Sequence, residues 1–215
     1  MLPYSYIVVE GPLGVGKTSL AGLLAERLKG LAVLEEPEDN PFLPGFYKDP
    51  DKHAFQTQIF FLLRRYQHCL EIGQMDLFRR VVIADFLFEK DRIFASLNLD
   101  ENEFWLYEQI FGLLRGRIPI PDLVIFLQAR TEVLHERIKK RGRKYEKSIS
   151  MEYLEAVNQA FNEFFFHYKD SPLLVVNASD IDFVHVPEDL DDLIREMATV
   201  RAGTQYYVPL SSRKS

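Results

Sequence analysis

Strand-like and helix-like segments alternate along this chain, and that alternation predicts an α/β fold, a five-stranded parallel sheet with helices on both faces. Two further observations support it. Arg79-Arg-Val-Val-Ile-Ala-Asp85 and Pro121-Asp-Leu-Val-Ile-Phe-Leu127 contain continuous apolar runs, as strands covered on both faces do. A glycine-rich turn, Gly11-Pro-Leu-Gly-Val-Gly-Lys-Thr18, joins an apolar β-branched run to a helix with Leu20, Leu23, Leu24 and Leu28 on one face.

Taken in order, the first strand spans 5–10 and feeds this turn. The pattern G-x-x-x-x-G-K-[ST] is the phosphate-binding P-loop. Gly11, Gly14, Val15 and Gly16 let backbone N–H groups wrap a polyphosphate, and the helix over 18–29, opened by Thr18 and Ser19, adds its positive N-terminal end. Lys17 supplies a point charge to the β/γ-phosphates, and the Thr18 hydroxyl ligates Mg²⁺. A second strand covers 31–36, followed by a Pro-rich loop to about 51. A helix over 52–73 places Phe55, Ile59, Leu62, Tyr66 and Cys69 at core spacing. The strand ending at Asp85 is third, with helices over 87–98 and 102–115 after it. A fourth strand ends at Leu127, and Thr131 caps a helix running to 141. A helix over 150–169, a fifth strand over Leu173–Asn177 and a helix over 187–200 close the domain, which spans 1–202. Residues 203–215 have no periodicity and read as a loosely held tail.

The chain has 215 residues, 47% hydrophobic and 27% charged, ordinary values for one globular domain. Its net charge of −6 argues against a nucleic-acid polymer as partner, because that normally needs a basic face. No apolar run approaches the length of a membrane span, and the single Cys69 offers neither a disulfide framework nor a metal cluster. A reducing cytoplasmic compartment is the expectation.

Ligands of parallel sheets bind beyond the strand C-termini. That rule gathers the P-loop, the Glu35–Glu36 pair, Asp85 and the segment after Leu127 on one rim. Glu35 and Glu36 face apart by strand alternation, so only one can enter a site. A carboxylate opposite a γ-phosphate can take the proton of an attacking hydroxyl. Asp85 can hold Mg²⁺ or cap a following helix, and the two roles can coexist. Arg137, Arg141 and Arg143, flanking Gly142 in a basic run, suit a lid over phosphates. Gln56 sits among aromatics and could read a nucleobase edge. Phe60, Leu63 and Gln67 lie close to its helical phase, Arg64 is less than a quarter turn away, and Arg65 is opposite, so Arg64 is the better pocket candidate of the two.

Together, EGPLGVGKT, EEPEDNPFLPGFYKDP, FQTQIFFLLRRYQ, VVIAD…RIFA, PDLVIFLQA and RIKKRGRKYEK resemble the deoxynucleoside kinase family over about 4–200, most of all its bacterial deoxyadenosine and deoxyguanosine kinases. The resemblance implies a P-loop kinase fold with an Arg-rich lid. It also implies ATP-dependent phosphorylation of a deoxynucleoside 5′-hydroxyl, purines favoured, with Mg²⁺, and a homodimer through helices. By position, Glu36 matches the general base, Gln56 the base-reading amide, and Tyr47 with Glu146 the pair holding the 3′-hydroxyl. The Tyr47–Gln56 spacing is slightly short. Phe94 matches an aromatic packing on the base, Arg137, Arg141 and Arg143 the lid arginines, and Asp182-Phe183 the loop sensing the donor adenine. One departure stands out. The family's acid-Arg-Ser triplet is here Asp85-Phe-Leu87, so a substitute cation is expected, Arg64 or Arg92, with Lys90 or Asp91 at the base-selecting position. Two other readings are a monophosphate kinase of the thymidylate kinase type, which needs acceptor-site cations, and a non-catalytic P-loop scaffold.

Overall fold

A computed structural model describes residues 2–75, 80–179, 181, 183 and 186–208. The elements run β1 (Tyr6–Glu10), α1 (Lys17–Leu28), β2 (Leu31–Val33), α2 (Leu43–Phe46), α3 (Pro50–Gln74), β3 (Val82–Ala84), α4 (Lys90–Asn98) and α5 (Glu101–Arg115). After these come β4 (Leu123–Gln128), α6 (Thr131–Arg141), α7 (Met151–His167), β5 (Leu173–Asn177), α8 (Pro187–Met197) and β6 (Thr204–Tyr207).

The strands form one parallel sheet in the order β2-β3-β1-β4-β5-β6. Alternation along each central strand splits the core into two layers. Ile7, Val9, Ile125 and Leu127 face α1, α6 and α8, where Leu20, Leu24, Leu134 and Leu193 meet them. Tyr6, Val8, Val124 and Phe126 face the other way, against Leu62 of α3, Tyr107 of α5 and Phe161 and Phe165 of α7. With both layers filled, the sheet can open to solvent only at its rim.

The expected strands and helices are present with ends shifted by a few residues, and two expectations need correcting. The sheet has six strands, because Thr204–Tyr207 pairs with β5 from Leu173↔Thr204 to Val176↔Tyr207. This stretch is therefore not loose tail. Gly203, with φ 67, turns the chain into it. Residues 209–215 of the expected tail, and Arg79 of the expected third strand, lie outside the described residues. Arg130, not Thr131, is the N-cap of α6, and the Thr131 hydroxyl accepts a bond from Asn158 instead. Among the described residues no helix is long and apolar enough to cross a membrane.

Candidate active site

The glycines of the loop after β1 are fixed by contact as much as by conformation. A Cβ on Gly11 would stand 2.6 Å from the Leu127 carbonyl oxygen, so only glycine lets the loop lie on β4. Gly14 has φ 81, and a Cβ there would meet the Leu134 carbonyl oxygen of α6 at 2.7 Å. Lys17 donates to the Gly11 carbonyl at 3.1 Å. Burial, together with the charge of Lys90, lowers its ammonium to about 8 against the pull of Glu10, Asp85 and Glu35.

Asp85, at the end of β3, ties three elements together. The Thr18 hydroxyl donates to its Oδ2 at 2.5 Å, and the backbone N–H of Glu35 donates to its Oδ1 at 2.7 Å. A hydroxyl and a carboxylate so placed are hard oxygen donors of the kind that suits Mg²⁺ alongside phosphate oxygens. They fit that ion.

Beside this rim lies a cleft floored by α3 and α4 and roofed by the segment after α6. Its charges are buried and alternate in sign. The Arg65 guanidinium, 4% exposed, contacts both Glu35 and Asp91, the latter fully buried. Lys90, 3% exposed, lies 2.7 Å from the other oxygen of Glu35 and 3.7 Å from Glu10. Burial would raise the Glu35 carboxyl, but Arg65 and Lys90 outweigh it and hold the group down at about 2. Asp91 goes the other way, since burial raises it to about 6 against the pull of Arg65. Farther out, Tyr47 stacks on Tyr145 with ring centroids 5.9 Å apart, and the Tyr145 hydroxyl donates to Glu38 at 3.0 Å. The buried Glu146 accepts from Arg141 at 2.6 Å. Gln58, Phe61 and Phe94 complete an apolar wall with one amide.

A second cleft opens on the other side of the P-loop, lined by Gly14, Val15, Gly16, Ser19, Arg137 and Phe183. Arg137 donates to the carbonyls of Val15 at 3.1 Å and Ala178 at 2.9 Å, joining the P-loop to the loop after β5. Arg141 lines both clefts and so lies between them. Two clefts meeting at one phosphate cradle make a bimolecular transfer site.

A family model described as deoxynucleoside kinase matches residues 7–201. The chain belongs to the deoxynucleoside kinase family. It is 38% identical to a deoxyguanosine kinase of Bacillus subtilis over 70% of this chain and 73% of that one. A deoxyadenosine kinase of Dictyostelium discoideum is 36% identical over 95% and 84% of the two chains. The structure of a deoxyadenosine kinase from M. mycoides with bound dATP superposes at a TM-score of 0.78 with 28% identity, covering 89% of this chain and 98% of that one.

Within this kinase the structure gathers Tyr47, Asp91, Phe94, Glu146 and two of the three lid arginines, Arg141 and Arg143, in the cleft above α3 and α4. Five expected residues are elsewhere. Glu36 is exposed, and Glu35 lines the cleft. Extended strand stops at Val33, and Asp85 tethers the Glu35 N–H. Glu36 then caps a 3-10 turn at Pro37–Asp39, which swings its side chain outward. On α3, Gln56 is exposed and Gln58 is buried in the cleft wall. Phe60 packs edge-on against Phe61, and it is Phe61 that lines the cleft. Arg64 is exposed and pairs with Asp39 at 3.3 Å, while Arg65 is inside. The helix is phased about two residues later than Gln56 implies. Leu62 and Cys69, buried as expected, carried the signal, because Gln58 and Arg65 each precede one of them by four residues and share their face. The same change lengthens the short Tyr47–Gln56 interval by two.

Arg92, the other expected substitute cation, is exposed on Glu108 at 2.7 Å. Asp182 lies outside the described residues. Glu10 and Lys90, 80 positions apart in the sequence, meet only in the fold.

Proposed function

We propose that this kinase transfers the γ-phosphoryl group of ATP to the 5′-hydroxyl of a purine deoxynucleoside, deoxyadenosine or deoxyguanosine, in nucleotide salvage. One observation carries the choice of a nucleoside over a monophosphate as acceptor. The four cations lining the acceptor cleft beyond the P-loop already face carboxylates: Arg65 with Glu35 and Asp91, Lys90 with Glu35 and Glu10, Arg141 with Glu146, and Arg143 with Glu38 at 2.9 Å. An acceptor bringing its own phosphate, as in the thymidylate kinase reading, would need cations to spare. A neutral nucleoside needs hydrogen-bonding groups, which Gln58, Asp91, Tyr47 and Glu146 supply.

Placement supports the following roles. Glu35, beside the P-loop rim, accepts the 5′-hydroxyl proton. As a weak base it takes the proton late, as the phosphoryl group transfers through a loose transition state. Lys17 and the P-loop amides hold the β/γ-phosphates, and Arg141 and Arg143 stand over the group in transit. Thr18 and Asp85 would hold Mg²⁺, which neutralises phosphate charge when bound. Arg137 and Phe183 shape the donor-side cleft, whose adenine contact would also involve Asp182. Purine preference is supported by the names of the relatives above. A homodimer through helices is supported by Trp105, Leu106 and Leu113 on α5, the first and last 65% and 78% exposed. A reducing cytoplasm suits the buried Cys69 thiol.

The test is ATP consumption by the purified protein against a panel of deoxynucleosides and their monophosphates. Turnover should be fastest with deoxyadenosine or deoxyguanosine. Turnover with monophosphates alone would overturn the reading.

A further inference from the structure

The residue after Asp85 is Phe86, and its ring is fully buried in the apolar layer, 5.7 Å from the ring of His68. It brings no charge to the site. Four residues on, Lys90 opens α4 and turns its ammonium back into the cleft, between carboxylates from two different strand ends. Neither carboxylate is loose. Glu10 has both oxygens fixed, one by the Gly11 N–H at 2.8 Å and the other by the Leu87 N–H at 2.7 Å. Glu35 has Arg65 on its remaining oxygen. A chain of contacts therefore runs from the first glycine of the P-loop through Glu10 and Lys90 to Glu35. Fold stability is a poor reason for such a chain, because well-packed apolar residues usually replace buried ion pairs at no loss.

We infer that Lys90 is a positioning residue for phosphoryl transfer: it ties Glu35 to the start of the P-loop, so that base and phosphate cradle keep one separation. This rests on the reading above, in which Glu35 takes the acceptor proton. In that step the 5′-oxygen forms a bond to the γ-phosphorus and its proton passes to a Glu35 oxygen. The bond from the γ-phosphorus to the bridging oxygen breaks, and its electron pair leaves on the β-phosphate of ADP. Lys90 neither gains nor loses a proton. Its work is geometric, and displacing a reacting group by about 1 Å can cost 10²-fold in rate.

The experiment compares wild type, Lys90→Ala and the double variant Glu10→Gln/Lys90→Met, all full length, by steady-state kinetics with deoxyadenosine and ATP. Lys90→Ala should lose about 10²-fold in kcat, with KM for ATP within about 3-fold. Propylammonium added to Lys90→Ala should restore about 10-fold of the loss by refilling the cleft with a cation, and propanol of similar size should restore none. A merely structural lysine would show neither the kcat-only loss nor the charge-specific rescue. The double variant removes one buried charge of each sign, and Glu35 keeps Arg65, which it shares with Asp91. It carries the same test if Lys90→Ala does not fold, and its kcat should be equally low in a folded protein. Folded variants within about 3-fold of wild-type kcat would overturn the role of Lys90. A wild type inactive on every deoxynucleoside would instead overturn the kinase reading on which it rests.

Discussion

Gln58 shows how a single side chain is placed by its neighbours' burial. It lies on the α3 face that also buries Ala54, Leu62, Arg65 and Cys69, so its amide is held against the cleft wall. A buried amide facing a nucleobase edge makes bonds that truncation leaves unmade, at about 1–3 kcal/mol. Gln58→Ala should therefore raise KM for deoxyadenosine or deoxyguanosine roughly 5- to 100-fold, whereas Gln56→Ala, on the exposed face, should stay within about 2-fold. The reverse order would mean that the helix is turned by two residues. The residue types of the site were legible in the sequence, and so was their neighbourhood. Which of two adjacent candidates points inward was not. The cause is physical: Glu35 or Glu36, and Arg64 or Arg65, are chosen by the tether at Asp85 and by the packing of Leu62 and Cys69, contacts between distant parts of the chain.

At the scale of elements, the segment from α6 to α7 roofs the cleft. Basic residues at the end of α6 favour its C-terminus, and Gly142, in the left-handed conformation, ends the helix so that Arg143 can turn over the cleft. Arg141 and Arg143 reach Glu146 and Glu38, and in the proposed mechanism each arginine serves acceptor binding as well as the phosphoryl group. Arg143→Ala should lower kcat by about 10²-fold or more, on the scale of arginine-finger effects. Arg141→Ala should do the same and also weaken deoxynucleoside binding measured without ATP, because Glu146 loses both hydrogen bonds from Arg141 and is left with Arg143 at 3.8 Å. Unchanged binding in Arg141→Ala would show that Glu146 keeps its place without this pair. Long elements with apolar periodicity, such as α3 and β4, could be read from sequence because their pattern repeats. The strand β6 could not. It has four residues, and only pairing with β5 makes it a strand.

For the whole molecule, two filled core layers bury several acidic groups in their neutral form. Burial holds the phenols of Tyr6, Tyr107 and Tyr168 above their ordinary range and pushes the Cys69 thiol up to about 12. The unfolded chain ionises these groups first, near pH 9–10 or about that range. Between the unfolded and folded values the unfolded state has released protons that the folded state still holds. Stability is thus fully present below about pH 9 and lost as pH rises, at about 1.4 kcal/mol per group per pH unit. Lys17, lowered to about 8, is one group working the other way, so melting temperature should change little up to about pH 9 and then fall as these four acids ionise in the unfolded chain. A level curve to about pH 11 would mean that these groups ionise in place.

In the proposed mechanism the rim of a parallel sheet aims one carboxylate, Glu35, at a hydroxyl beside the P-loop. The most direct test is the turnover of Glu35→Gln and Glu36→Gln with ATP and the best deoxynucleoside, each variant checked for folding. Glu35→Gln keeps the size of the side chain but cannot accept the proton, so kcat should fall by about 10²- to 10⁴-fold while nucleoside affinity changes only a few-fold. Glu36→Gln, outside the cleft, should turn over like wild type. A dead Glu36→Gln beside an active Glu35→Gln would contradict the account, and so would full activity in both.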